Sequence, residues 1–321
     1  MKAPFPWFGG KCKVAPLIWE RLGDVRNYVE PFAGSLAVLL ERPHKPGVET
    51  VNDLDGYIAN FWRAIQKDPD AVAHHCDWPV NELDLHARHQ WLIGRKRDFA
   101  EKLRADPDFC DAKYAGWWVW GASSWIGDCW ARDTPQKAKP HLGDAGMGVH
   151  RASLKLPHLG DAGRGVHRAS LQLPHLGDAG RGVRGELRAL ADRLRYVRVC
   201  CGDWTRIMGE SVIRNAYPNP CGIVLDPPYA GSEAVYAEES KVFDDVRAWA
   251  IEHGDDLRLR IALCGYDDGR PMPDSWEEVA WKAQGGYGSQ GDGDGRANSH
   301  RERIWFSPGC VKVARQGWLW A

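Results

Sequence analysis

The stretch Gly222-Ile223-Val224-Leu225-Asp226-Pro227-Pro228-Tyr229 decides how the chain folds and where its chemistry lies. A short apolar run bounded by a turn signal predicts a buried strand, and open α/β sheets bind ligands just beyond the carboxyl ends of such strands. The two prolines stiffen the backbone, Asp226 supplies an acceptor and Tyr229 supplies a flat ring. The segment therefore predicts a site for a planar ring bearing an amino group. The alternative is an ordinary turn after a strand.

A second candidate strand, turn and helix start lie earlier, over Tyr28-Val29-Glu30-Pro31-Phe32-Ala33-Gly34-Ser35 and the run 36–41. We expect Gly34 to let the backbone approach a ligand closely. We expect Ser35 to cap the helix, with the neighbouring amides facing that ligand. The block lacks the spaced glycines of the dinucleotide fingerprint, which argues against a nicotinamide or flavin cofactor. It predicts a cofactor loop of the doubly wound type.

Two more segments carry side chains suited to the same site. Thr50-Val51-Asn52-Asp53-Leu54-Asp55 ends a predicted strand, where Asp53 is the candidate for binding ribose hydroxyls and Asp55 the candidate helix cap. Pro4-Phe5-Pro6-Trp7-Phe8-Gly9-Gly10-Lys11 is too rich in proline, glycine and aromatic residues for a regular element. It predicts a ligand-facing loop with a cation.

Together these segments resemble a known family, the D12 class of adenine-specific DNA methyltransferases, relatives of the bacterial Dam enzyme. Four blocks carry the resemblance: Trp7 to Lys11, Glu30 to Ser35, Asn52-Asp53 and Asp226 to Tyr229. They occur in the same order as in that class. The resemblance covers residues 1 to about 67 and about 196 to 308. It implies an α/β fold with a Rossmann-like S-adenosylmethionine-dependent methyltransferase sheet. The implied activity is methylation of N6 of a flipped-out adenine in double-stranded DNA.

The resemblance also assigns roles to individual residues. The implied catalytic residues are Asp226, Pro227, Pro228 and Tyr229. Asp226 would touch both the cofactor amine and the target amino group, the Pro227 carbonyl would be a second acceptor, and Tyr229 would stack on the adenine. The implied cofactor-binding residues are Trp7, Gly9, Gly10, Lys11, Glu30, Pro31, Phe32, Gly34, Ser35, Asp53, Asp203 and Asp226. A helix cap explains Asp203 nearly as well. One departure is Leu36, where many relatives have glycine; we expect it to narrow the pocket.

The chemistry of adenine is consistent with these roles. Its amino group is a poor nucleophile because the lone pair is delocalised into the ring, and the base must leave the duplex stack at a cost of roughly a few kcal/mol. Acceptors at Asp226 and Pro227 would expose that lone pair to the methyl group. N4 methylation of cytosine stays open as a close alternative, and methylation of a glutamine amide or of RNA as a distant one. A catalytically idle DNA-binding protein is the alternative from a different class.

Composition favours a cytoplasmic enzyme, and the resemblance implies that a bacterium or a phage encodes it. The chain has 321 residues and a formal net charge of −1, so DNA binding must rest on local charge. Its nine cysteines are scattered without CxxC spacing, which predicts reduced thiols and no metal site. The sequence shows no signal peptide or membrane-length apolar run. We expect no membrane association and a monomer or weak dimer.

The resemblance implies that the middle of the chain holds the DNA-recognition machinery. Residues 1–67 and 185–321 form the predicted catalytic domain, and 68–184 a mainly helical inserted target-recognition region. A 17-residue repeat occurs three times over 140–190, in a locally basic, glycine-rich stretch. Close backbone approach and basic side chains suit contacts with phosphates and guanine edges. The candidate DNA-binding residues there are Arg151, Arg164, Arg168 and Arg181. The alternative is a duplicated surface loop without a function.

The sequence also predicts the structure of two other stretches of the insertion. The run 86–97 predicts a basic helix with an apolar side, whose simplest explanation is a solvated helix face. The tryptophan-rich run 114–125 predicts core of the inserted domain, with one ring wedged into DNA as the alternative. Towards the C-terminus, 257–266 and 303–308 predict strands that complete the sheet, and 244–252 predicts a helix.

Overall fold

The fold is described from a computed structural model of the chain. The structure describes residues 1–5, 7, 10–106, 108–125, 130–131, 182–214, 218–228, 237–281 and 301–313.

The described residues contain seven strands. They are β1 (Asn27–Glu30), β2 (Val48–Asp53), β3 (Arg198–Cys201), β4 (Cys221–Leu225), β5 (Leu259–Tyr266), β6 (Glu277–Ala280) and β7 (Glu302–Phe306). They form a sheet with the order β3-β2-β1-β4-β5-β7-β6. Strand β1 is parallel to β2 and β4, β4 is parallel to β5, and β7 is antiparallel to β5 and β6. This mixed α/β architecture agrees with the predicted fold class, and strands β1, β2, β4, β5 and β7 confirm the predicted ones.

The described helices alternate with the strands at both ends of the chain and follow one another in its middle. They are α1 (Ala15–Leu22), α2 (Ala37–Leu40), α3 (Gly56–Lys67), α4 (Pro69–Cys76), α5 (Glu82–Ile93), α6 (Lys96–Ala105), α7 (Ala112–Ser124), α8 (Gly182–Leu194), α9 (Glu210–Ile213) and α10 (Ala237–His253). Short 3-10 turns span Lys11–Lys13 and Trp204–Ile207. No helix among the described residues has the length and apolar character that a membrane crossing requires.

The chain divides into two compact units, of which the first comprises Met1, 11–52 and 203–321. Its core includes Val29 on β1, Ile223 on β4 and Ile261 on β5, which are neighbours in the sheet and fully buried. Parallel strands covered on both faces are apolar throughout, which explains why β4 is buried along its whole length. A Cβ atom at Gly222 would lie 3.0 Å from a methyl group of Val25, so glycine allows close packing on this strand.

The second unit comprises 2–10 and 53–202, and its described part is mainly helical. Side-chain caps fix where α4, α5 and α7 begin. Asp68 accepts a hydrogen bond from the amide of Ala71 at the start of α4, and Asn81 accepts one from Asp84 at the start of α5. Asp111 accepts from the amide of Lys113 at the start of α7. These caps satisfy amides that have no partner inside the helix.

Aromatic side chains form the core of the second unit. The Trp118 ring lies 5.0 Å from Phe5 and 6.2 Å from Phe61, between ring centroids, and Phe61 contacts Trp62 at 4.8 Å. The predicted core role of the tryptophan-rich run is therefore confirmed on α7, where Trp118 and Trp120 are almost fully buried.

The three repeats, up to residue 181, lie outside the described residues, together with Arg151, Arg164, Arg168 and Arg181. Their part in DNA binding stays a prediction. The same holds for the domain boundaries at 67/68 and 184/185.

Candidate active site

The predicted site begins where two neighbouring parallel strands of the first unit end. Asp226 directly follows β4, and Glu30 is the last residue of β1. Pro227 is buried and Pro228 exposed, whereas Tyr229 lies outside the described residues. Because the carboxyl ends of parallel strands lie at one edge of a sheet, both acidic residues come to that edge.

Lys11 forms an ion pair with Asp226. Its Nζ atom lies 2.8 Å from Asp226 Oδ1, and the Lys11 side chain is only 3% exposed. Burial lowers the pKa of Lys11, but the nearby carboxylates of Asp226 and Glu302 raise it more, so the net pKa lies above the ordinary value. The amine therefore stays protonated and places a fixed positive charge beside Asp226. The same Nζ lies 5.6 Å from the centre of the Trp281 ring.

Glu30 is a buried acid with a strongly shifted titration. Burial, with the charges of Asp226 and Glu49, raises its pKa to about 8, while a hydrogen bond from Tyr28 acts in the opposite direction. The Tyr28 hydroxyl donates to Glu30 Oε2 over 2.9 Å. At neutral pH Glu30 is therefore mostly protonated and stores a proton beside Asp226.

The loop after β1 is held by the end of β2. The Asn52 side-chain amide donates to the Pro31 carbonyl over 3.1 Å, and the Ala33 amide donates to the Asn52 carbonyl over 2.8 Å. The half-buried Phe32 ring stacks on Trp204 with centroids 6.3 Å apart. These contacts fix the predicted cofactor loop in one conformation.

The predicted cap at Ser35 is wrong. Helix α2 begins one residue later, with Leu36 at the N-cap position and no side-chain capping bond. The reason is local: the Leu36 amide bonds to the Ala33 carbonyl in a tight turn, and the Leu36 carbonyl then accepts from Leu40. Ser35 itself is buried.

Two residues of this loop have left-handed backbone conformations. Gly34 has φ 44°, which glycine adopts without steric cost. Leu36 has φ 55° and ψ 30°, a conformation that costs an L-residue about 1–2 kcal/mol. The Leu36 side chain is fully buried in this conformation. The loop therefore has a strained backbone at position 36, where many relatives in the resembled family have glycine.

This strain predicts an unusual order of stability for two variants. Leu36→Ala and Leu36→Gly both lose the buried side chain, so each is expected to be less stable than the wild type, by about 2–4 kcal/mol. Leu36→Gly, however, also relieves the strain and should be about 1 kcal/mol more stable than Leu36→Ala. Urea denaturation of the three proteins measures this difference. An alanine variant more stable than the glycine variant would contradict the left-handed conformation.

Asp203, at the start of the turn Trp204–Ile207, acts as a cap. Its carboxylate accepts from the amide of Thr205 over 3.0 Å and from the Thr205 hydroxyl, and the residue is exposed. The capping explanation is thus confirmed, and a contact of Asp203 with a cofactor stays a prediction.

The remaining predicted cofactor residues belong to the second unit. The Trp7 carbonyl accepts from the amide of Gly10 over 3.0 Å, and a Cβ at Gly10 would lie 3.0 Å from that oxygen. Asp53 accepts from the amide of Asp55 over 2.9 Å. Asp55 in turn accepts from the first turn of α3, which confirms it as the helix cap. Gly9 lies outside the described residues.

Sequence reasoning missed three side chains near Lys11. Glu302 at the start of β7 is 3% exposed, and Cys264 on β5 is fully buried. Burial, with the charge of Asp226, raises the pKa of the Cys264 thiol well above its ordinary value, so it is neutral. Trp281 is the third. For Glu302, the one signal in the sequence that could have indicated a site residue was its position as an acidic residue at the start of an apolar strand. Among the described residues, no group of three or more acidic, histidine or cysteine side chains is arranged to hold a metal ion.

Comparison with known proteins gives a family for the N-terminal third of the chain. Residues 7–105 match the family model described as D12 class N6 adenine-specific DNA methyltransferase. The matched range contains Lys11, Glu30 and Asp53 and ends before Asp203 and Asp226. No curated protein matches the chain.

Proposed function

We propose that this chain, whose residues 7–105 match the family model of D12 class N6 adenine-specific DNA methyltransferases, uses S-adenosylmethionine to methylate N6 of a flipped-out adenine in double-stranded DNA. The observation that carries the proposal is the 2.8 Å ion pair between Lys11 and Asp226. It joins a residue inside the matched range to the Asp-Pro-Pro-Tyr segment outside it. The proposed architecture is a Rossmann-like sheet with an inserted target-recognition domain.

The side chains of the first unit suit the methyl donor. S-adenosylmethionine carries an ammonium group, for which Glu30 is a buried acidic partner, and an adenine ring, for which Phe32 is a half-buried aromatic neighbour. Gly34 allows the backbone a close approach to a ligand. When bound, S-adenosylmethionine supplies an electrophilic methyl group on sulfur. For the other proposed residues, the role in cofactor binding rests on the resemblance alone: Trp7, Gly9, Gly10, Pro31, Ser35, Asp53 and Asp203.

Asp226 has the central part in the proposed mechanism. Its carboxylate accepts a hydrogen bond from the adenine amino group, and Lys11 holds that carboxylate in a fixed orientation. The Pro227 carbonyl is the second acceptor. Two acceptors draw the amino nitrogen towards a tetrahedral geometry, which localises the lone pair and directs it at the methyl group. Positioning of the two reactants supplies much of the remaining acceleration. Tyr229 stacks on the flipped base and offsets part of the cost of unstacking.

The proposal is tested by incubating the full chain with methyl-labelled S-adenosylmethionine and duplex DNA, and by digesting the product for mass analysis. We expect N6-methyladenine. N4-methylcytosine in its place would support the alternative cytosine reaction. A protein that binds DNA but gives no calorimetric heat with S-adenosylmethionine would contradict the proposal and support an idle DNA-binding protein.

A further inference from the structure

Cations alternate with aromatic rings on α7 and at the C-terminal end of α5 in the second unit, where Arg95 lies between α5 and α6. The Arg95 guanidinium lies 4.3 Å from the centre of the Trp91 ring. The Lys113 ammonium lies 5.1 Å from Trp91 and 4.5 Å from Trp117, and the two rings are 5.1 Å apart. These four side chains are named the α5–α7 surface below. Arg95 is exposed, and the other three are half-buried.

A further cation lies beneath this surface. The Arg88 guanidinium carbon is 5.0 Å from the centre of the Trp117 ring and 4.2 Å from that of Trp120, and the residue is 8% exposed. Its Nη1 atom is buried without a hydrogen-bond partner among the described residues. Burial lowers the pKa of Arg88, against the opposing charge of Asp84, yet a guanidinium remains protonated in proteins. Its positive charge therefore acts in a poorly solvated environment.

Among the described residues, the charges of the α5–α7 surface have no carboxylate partners. Within the described ranges, neither Arg95 nor Lys113 lies within 4.0 Å of an acidic side chain, whereas the exposed Arg97, Arg188 and Arg195 of the same unit each form an ion pair. Of the neighbouring acids, Asp84 accepts from Trp78 and Asn81, and Asp111 caps α7. Unpaired cations fixed against rings are pre-organised for an anion, because little side-chain entropy is lost when the anion binds.

We propose that the α5–α7 surface binds the phosphodiester backbone of duplex DNA. The occupant follows from charge complementarity: two cations that have no carboxylate partner among the described residues suit phosphate groups, and the half-buried Trp91 and Trp117 rings offer apolar faces to the sugars. The inference rests on the proposed function, which makes DNA the substrate. It assigns DNA contact to side chains distinct from the basic residues of the repeats. These contacts hold the duplex without reading its sequence.

The test removes the two charges and keeps the apolar stems. The variant Arg95→Met/Lys113→Met is compared with Arg97→Met/Arg195→Met, which removes two exposed arginines that pair with Glu101 and Asp192. Binding of a labelled mixed-sequence duplex is measured by anisotropy against salt concentration, without methyl donor. For the first variant we expect the slope of log affinity against log salt to fall in magnitude by about two. The second should keep the wild-type slope.

A charge-retaining swap excludes a packing effect. Arg95→Lys/Lys113→Arg should restore the wild-type slope, and thermal unfolding checks that every variant folds. Three results would each contradict DNA binding by the α5–α7 surface. They are equal slopes for the two charge-removing variants, a reduced slope in the swap variant, and no DNA binding by the wild type. Methyl transfer is assayed separately. Equal slopes for the two charge-removing variants, together with methyl transfer by the wild type, would refute DNA binding by the α5–α7 surface but not the proposed function. A smaller slope for the first variant, together with no methyl transfer by the wild type, would refute the proposed function but not DNA binding by the surface.

Discussion

Replacing Asp226 with asparagine is expected to lower kcat for methyl transfer by about 10²–10³-fold. Asparagine keeps the shape of the side chain but loses the charge and replaces one acceptor with a donor. Its amide therefore holds the adenine amino group poorly. Lys11, whose side chain is 3% exposed, would also face a neutral partner. Because a buried ion pair that loses one member destabilises a protein by about 3–5 kcal/mol, folding must be measured beside activity.

Asp256→Asn is the matched control. Asp256 belongs to the same unit, its side chain is 20% exposed against 22% for Asp226, and it forms an ion pair with Arg258 over 2.6 Å. The control should therefore undergo the same chemical change while leaving kcat close to the wild-type value. Single-turnover assays with saturating S-adenosylmethionine give the comparison. Wild-type turnover in the folded Asp226→Asn enzyme would show that Asp226 does not contact the reacting amine.

The buried Glu30 is expected to make the free energy of unfolding decline as pH rises. Its pKa is raised from 4.5 to about 8 in the folded state, so the folded chain binds more protons than the unfolded chain between these values. The free energy of unfolding must then fall with pH, by a few kcal/mol over this range. The stabilising contribution is fully present below pH 4.5 and is lost as pH passes through about 8. Urea denaturation at several pH values measures it.

Glu30→Gln isolates this contribution, because glutamine resembles the protonated acid and does not titrate. The variant should lack the decline and should exceed the wild type in stability above pH 8. Cofactor binding should show the opposite trend, because a partner for an ammonium group must be ionised. We expect wild-type affinity for S-adenosylmethionine to rise towards pH 8 and that of Glu30→Gln to stay low. An unchanged pH profile of stability in Glu30→Gln would rule out the buried titration.

The strand ends were predictable because they depend on local sequence. An apolar run followed by Asp226 and two prolines indicates the end of a buried strand, and the small-residue turn after Glu30 is equally local. Asp55 as a cap and α7 as core followed from the same kind of pattern. Strand β6 was not predicted, because Glu277–Ala280 is a short edge strand of four residues with two glutamates.

What the sequence by itself determined is most of the strands, the edge at which Asp226 and Glu30 lie, and the match of residues 7–105 to one family model. Only the tertiary structure decided that Lys11 pairs with Asp226, that Glu30 is buried enough to hold a proton, and that Leu36 takes a left-handed conformation. It also set the cations of α5 and α7 against tryptophan rings. The physical reason is that burial and charge pairing depend on residues far apart in the chain, whereas turn and strand propensities are written into neighbouring residues.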